Sequence, residues 1–181
     1  MKKTLTLFLM LIVGIVSSWA QLPEFSTEDN PVYYKVNFIQ GSTFLQDNGS
    51  GTFLTNENAS ANVGQLFAFV GTQNNFKLLS KLGNYVTTKQ GTAINNGQSA
   101  LLLYSSTTGD DFQIMDSPKQ NGCFVITRKG NTSTGFNTWG GAAAPHNIGF
   151  WENSDPNNQI KFLDPANLPD YSELDKLITK T

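Results

Sequence analysis

Cysteine is almost missing from this chain. Cys123 stands alone among 181 residues, so no internal disulfide can brace the fold, and stability has to come from a packed interior. Beside Phe124 and Val125, the thiol itself reads as a small core hydrophobe. Histidine is equally scarce: His146 is single, and with neither a His-x-x-x-His spacing nor a cysteine cluster the pattern gives no basis for a metal centre. Charge is thin and slightly acidic, with 12 Lys and Arg against 14 Asp and Glu, a formal net charge of −2. Nucleic-acid binding, which needs clustered cations against phosphate, is therefore not expected. Catalytic constellations are also lacking. There is no Gly-x-Ser-x-Gly elbow, and Gly49-Ser50-Gly51 lacks the lysine and helix of a phosphate loop. The adjacent acids Asp110-Asp111 precede a strand, where neighbouring side chains face opposite ways, whereas glycoside hydrolysis needs two carboxyls facing one bond. The expectation is a non-catalytic protein without a cofactor.

A long apolar run occurs once, from Leu5 to Val16, after Lys2 and Lys3 and before Ser18-Trp19-Ala20. That is the layout of a signal peptide cleaved before Gln21, and it is too short for a membrane span of ~20 residues. No cysteine follows it to take a lipid. The mature chain, without the two leader lysines, carries ten positive and fourteen negative side chains, a net −4. It is expected to be secreted or periplasmic, with no membrane span after cleavage.

What is abundant is Asn, Gly, Ser and Thr, which favour turns over helix interiors, and a recurring unit. Short apolar strands end in Gly41, Gly83 and Gly130, 42 and 47 residues apart. A second unit, a polar residue followed by apolar ones at alternate positions, recurs in Gln65-Leu66-Phe67-Ala68-Phe69, Asp110-Asp111-Phe112-Gln113-Ile114 and Asn158-Gln159-Ile160-Lys161-Phe162. Its members Phe67, Phe112 and Ile160 are 45 and 48 apart. Two independent markers with one period predict a threefold internal repeat of all-β character. Each third offers about four short strands. The first includes Tyr34, Val36 and Phe38 in alternation and an Asp47-to-Gly51 hairpin turn; the second has a turn at Asn95-Asn96-Gly97. Twelve short strands in three groups are best buried as a six-stranded barrel capped by three hairpins, the β-trefoil. A propeller has the same period, but three blades are fewer than the usual ~4 to 8. The organisation that follows is a leader over 1–20, a linker over 21–31, the trefoil over 32–164, and a C-terminal linker with a short helix over 165–181. Leu174, Leu177 and Ile178 share one face of that helix, behind Ser172 as its cap.

The units Gln65-Leu66-Phe67, Asp110-Asp111-Phe112 and Asn158-Gln159-Ile160 resemble degenerate forms of the Gln-x-Trp signature of the ricin-B-like β-trefoil family. The stretch from Asn137-Thr138-Trp139-Gly140-Gly141 through Ile148-Gly149-Phe150-Trp151 to Asp155-Pro156-Asn157-Asn158 is similar to trefoil modules of exported Bacteroidetes proteins. The resemblance spans roughly Pro31 to Leu163 and implies a lectin-like, carbohydrate-binding, non-catalytic module. Phe67, Phe112 and Ile160 replace the signature tryptophan. Sugar-binding members place an aspartate after the second strand of a repeat; Asp47 stands there in repeat one, Thr87-Thr88 in repeat two and Asn137-Thr138 in repeat three.

Sugar recognition takes an aromatic face and a few convergent polar groups. The candidate carbohydrate-binding residues are Asp47 and Asn48 in repeat one, with Phe53 across the hairpin, and Asn137, Trp139 and His146 in repeat three. Each has a plainer reading. Asp47-Asn48-Gly49 makes a good turn by itself, His146 serves equally as a solvated or backbone-bonded loop residue, and Trp139, followed by Gly140-Gly141 and three alanines, is either platform or core. Trp151, in an apolar run with Ile148 and Phe150, is expected in the core. The expected partner is a glycan or polysaccharide. The alternative is a protein-interaction or structural trefoil, acting beside a partner protein or fused domain.

Overall fold

The computed structural model describes residues 21–91 and 100–167. The leader, the Asn95-Asn96-Gly97 turn and the helix around Leu174 to Ile178 lie outside the described residues. Within them the chain is almost wholly β. Its strands are β1 (Phe25–Ser26), β2 (Tyr33–Phe38), β3 (Thr43–Gln46), β4 (Thr55–Glu57), β5 (Phe67–Thr72), β6 (Asn75–Ser80), β7 (Tyr85–Gln90), β8 (Leu101–Ser106), β9 (Phe112–Asp116), β10 (Phe124–Arg128), β11 (Thr134–Thr138), β12 (His146–Glu152) and β13 (Ile160–Leu163). Single 3₁₀ turns at Val63–Gln65 and Pro156–Asn158 lead into β5 and β13, and a third follows β13 at Pro165–Asn167.

Six strands close a ring. β2 pairs β5, β5 pairs β6, β6 pairs β9, β9 pairs β10, β10 pairs β13, and β13 returns to β2, every pairing antiparallel. Closure removes the exposed sheet edges that would otherwise invite pairing with other chains. Three hairpins, β3–β4, β7–β8 and β11–β12, cover one end. They join one another because β12 pairs both β4 and β8, and because Phe53 bridges to Tyr104.

Period-two alternation decides which side chains fill the ring. Val36 and Phe38, Phe67 and Phe69, Phe76 and Leu78, Phe112 and Ile114, Phe124 and Ile126, and Ile160 and Phe162 all point inward, and Leu45, Leu54, Val86, Leu103, Phe136 and Ile148 close the cap over them. Phe67, Phe112 and Ile160 each open a ring strand and are each fully buried. The core is knitted by rings packed edge to face, Phe69 with Phe162 and Phe112 with Phe136 at centroid separations of 5.2 Å.

The polar residue two positions before each of these three has a definite job. It reaches across to the first strand of its own hairpin. Gln65 donates through Nε2 to Gln46 Oε1 at 3.2 Å, and Asn158 Oδ1 accepts from Asn137 Nδ2 at 2.5 Å. Asp110 accepts from the hydroxyls of Thr87 and Thr88 at 3.0 and 2.6 Å. Each tie fixes a cap hairpin on the ring and satisfies polar groups that closure takes out of water.

The recurring glycines have two physical causes. Gly83 and Gly130 take positive φ, whereas at the first of the three turns Ser42 carries the positive φ instead. Gly41 is required by close approach: a Cβ there would stand 1.9 Å from the Ala142 carbonyl oxygen. The loop after β11 therefore rests on the turn between β2 and β3.

Candidate carbohydrate-binding face

The residues proposed in the first repeat do not converge on an open pocket. Asp47 is 2% exposed. Its carboxylate accepts from Ser80 Oγ at 2.5 Å, the Gly49 amide at 2.9 Å and Asn84 Nδ2 at 3.0 Å. It is a tie between the first hairpin and the end of β6, closed to a ligand. Asn48 is exposed, but its amide is engaged inside the hairpin, donating to the Phe53 carbonyl at 3.2 Å and Thr55 Oγ1 at 3.0 Å while accepting from Gln46 at 2.8 Å. Both side chains hydrogen-bond at the bend, Asp47 to the Gly49 amide and Asn48 to Phe53 and Thr55, as turn residues do. Phe53 packs edge-on against Tyr104.

The stretch from Asn137 to Asn158 is built differently. Asn137 is buried, with Nδ2 donating to Asn158 Oδ1 and, at 3.2 Å, to Asp155 Oδ1. Asn158 in turn donates to the carbonyls of Gly135 at 3.2 Å and Trp151 at 2.9 Å. Asp155 caps the 3₁₀ turn through the Asn157 amide at 2.8 Å. Asn137 is thus a positioning group: it locks a network whose far end holds the backbone of Trp151.

Trp151 is 47% exposed, against the expectation of a core indole. Parity explains it. Ile148 and Phe150 point to the core side of β12, and the next residue along a strand points to the opposite face. Trp139, half-buried, lies against it, with ring centroids 5.3 Å apart at 78°. Trp139 rests on the bare backbone of Gly149, where a Cβ would meet its Cε3 at 3.1 Å. Its Nε1 is buried with no hydrogen-bond partner. The two indoles form one wall, Trp139 as buttress and Trp151 as open face, with Asp155 and the Asn137–Asn158 tie at its base.

His146 is half-buried, and its backbone amide donates to Asn56 Oδ1 at 2.6 Å. The buried Asn56 also donates through Nδ2 to Thr43 Oγ1 and the Ala143 carbonyl, both at 3.1 Å. His146 thereby anchors the loop behind the indoles. Among the described residues no group of three His, Cys, Asp or Glu side chains is arranged to hold a metal ion.

A closed six-stranded ring under three hairpins is a known arrangement. The fold is a β-trefoil. The ricin B-like lectin of Macrolepiota procera, solved in complex with lactose, superposes with a TM-score of 0.64 at 14% identity, covering 79% of this chain and 100% of its own. The Rhizoctonia solani agglutinin gives 0.60 at 19%, covering 78% and 99%. A β-trefoil known as BEL gives 0.57 at 13%, covering 80% and 97%. No family model matches this sequence, and no curated protein matches it. At such identities the likeness establishes the trefoil and leaves the ligand to the chain's own residues.

Proposed function

We propose that this protein is an exported, non-catalytic, lectin-like trefoil built from a threefold repeat, of the kind carried by exported Bacteroidetes proteins, and that it binds carbohydrate as a targeting or accessory module. The observation that carries the reading is the solvent-open indole of Trp151, held edge-on by Trp139 and fixed from below by Asn158. A pyranose has an apolar face of C–H groups and a rim of hydroxyls. An exposed, rigid aromatic ring matches the first, and convergent carboxylate and amide oxygens match the second. Trp151 would stack the sugar, Asp155 would take hydroxyls at the rim, and Asn137 would hold Asp155 and Asn158 in place. The lactose complex of the Macrolepiota procera lectin supports this class of ligand for the fold. The leader pattern over 1–20 supports export.

Binding of a panel of neutral plant and host polysaccharides to wild-type protein and to Trp151→Ala tests the reading. Loss of a central aromatic contact costs about 2 kcal/mol, roughly thirtyfold in affinity. Trp151→Ala should lose binding by about that factor while keeping the thermal midpoint of the wild type. Binding that survives the substitution, or a wild-type protein that binds no member of the panel, would refute the reading and favour a structural or protein-interaction role.

A further inference from the structure

A concave feature is lined by neither indole. It is a cleft of about 470 Å³ lined by Thr88, Asp110, Asp111, Arg128 and Lys129. The ring itself builds it: the end of β10 lies beside the start of β9, with Arg128 opposite Phe112 and the Lys129 amide donating to the Asp111 carbonyl at 2.9 Å. Its charges are unevenly matched. Asp111 is paired with Lys77 at 3.2 Å, and that same ammonium donates to the Gly109 carbonyl at 2.6 Å, pinning the loop ahead of β9. Asp110 is held by the Thr87 and Thr88 hydroxyls. Arg128 and Lys129 are exposed, and neither side chain has an ion-pair partner among the described residues, although two carboxylates line the same cleft.

We propose that this cleft is a separate subsite for a sugar ring carrying an anionic group, a carboxylate or a sulfate ester. The inference rests on the carbohydrate-binding reading but uses none of the platform residues. With Asp111 neutralised by Lys77, the two free cations face a single carboxylate, so the cleft is locally positive in a chain of net negative charge. The planar fork of Arg128 suits bidentate capture of a carboxylate or sulfate, and Lys129 adds a second charge. Asp110, oriented by two hydroxyls, offers acceptor lone pairs to ring hydroxyls. The volume falls within the range of small-ligand sites and exceeds the needs of a bare inorganic anion. No aromatic side chain lines it, so affinity here is electrostatic and weakens with salt, whereas stacking on Trp151 does not.

Amide and indole shifts of the wild-type protein in solution NMR, titrated with methyl glucuronoside, glucose 6-sulfate, methyl glucoside and sodium acetate, test the proposal. The two charged sugars should shift the amides of Thr88, Asp111 and Lys129, the neutral glucoside should leave them in place, and the comparison of the charged pair shows which anionic group is preferred. The double variant Arg128→Gln/Lys129→Gln should bind at least about tenfold more weakly at an unchanged thermal midpoint, and raising salt to about 0.5 M should mimic it. Arg128→Lys in the otherwise wild-type chain should retain part of the affinity. Equal shifts with acetate alone would reduce the cleft to a simple ion site. Absence of shifts with either charged sugar, or full binding by the double variant, would overturn the proposal outright. The Trp139 and Trp151 indole signals read the platform independently: their response to a neutral oligosaccharide, with the cleft silent to both charged sugars, would sink the subsite alone.

Discussion

Asp47 shows how a residue placed where a sugar ligand is expected can be diverted to structure. Buried at 2% exposure, it has donors from Ser80, Gly49 and Asn84 in place of water. Asp47→Ala would leave the Ser80 hydroxyl and Asn84 amide without their acceptor and should cost about 1–3 kcal/mol in urea unfolding, with glycan binding unchanged. A variant as stable as wild type would mean the tie contributes nothing net. Legibility at this scale was uneven for physical reasons. The sequence marked Asp47, Asn48, Asn137, Trp139 and His146 by residue type, but type does not say whether a carboxylate's lone pairs are already taken by the protein's own donors. Trp151 was readable in principle: Ile148 and Phe150 set the parity of β12, and the next position had to face outward. Four apolar residues within Ile148 to Trp151 mask that alternation in composition, because Gly149 and Trp151 share the outward face. Asp155 carried its own signal too, an Asp-Pro step of the sort that opens a 3₁₀ turn before a ring strand.

At the level of elements, the stretch from Trp139 to His146 is an irregular loop that behaves as a fixed part because three contacts hold it. Asn56 grips it through the Ala143 carbonyl and the His146 amide, and Gly41 admits the Ala142 carbonyl against the opposite turn. Gly41→Ala forces one of the two backbones to move, an overpacking cost of about 1–3 kcal/mol. The account predicts a lower thermal midpoint together with weaker glycan binding, because the displaced loop carries the buttress Trp139. A stable variant with unaltered binding would show the loop to be independent of the platform. The recurring glycine was visible as a period, but its reason differs between turns. Gly83 and Gly130 answer a backbone angle, and Gly41 answers a contact 101 residues away in sequence, which no local pattern announces. Ring strands, by contrast, were legible from alternation, since each must bury one face and the burial is read directly from period two.

Across the whole molecule, the ring leaves its N-terminal approach to be tied down separately. β1 runs parallel to β5, packing Phe25 against Phe69 and Phe76, and the Tyr85 hydroxyl donates to the Glu28 carboxylate. Burial first, and then the hydrogen bond and negative charge of Glu28, push the Tyr85 phenol up to about 12 from 10.0. The unfolded chain releases that proton near 10, so between roughly 10 and 12 the unfolded state holds fewer protons and stability falls as pH rises. Lys35, whose ammonium is lowered from 10.5 by burial, acts in the opposite sense just below that value. Tyr85→Phe should therefore remove the alkaline loss specific to the wild type, seen as converging unfolding midpoints above pH 10; parallel curves would deny the linkage. The platform offers the most direct check of all. Of the three tryptophans, Trp19 lies in the leader stretch, so the emission of a chain comprising residues 21–181 comes from Trp139 and Trp151 alone. Titrated with a bound neutral oligosaccharide, that emission should shift to the blue and saturate, as Trp151 loses water to a sugar face. Binding without any change in emission would contradict the account, because a glycan seated on this trefoil would then be touching neither indole.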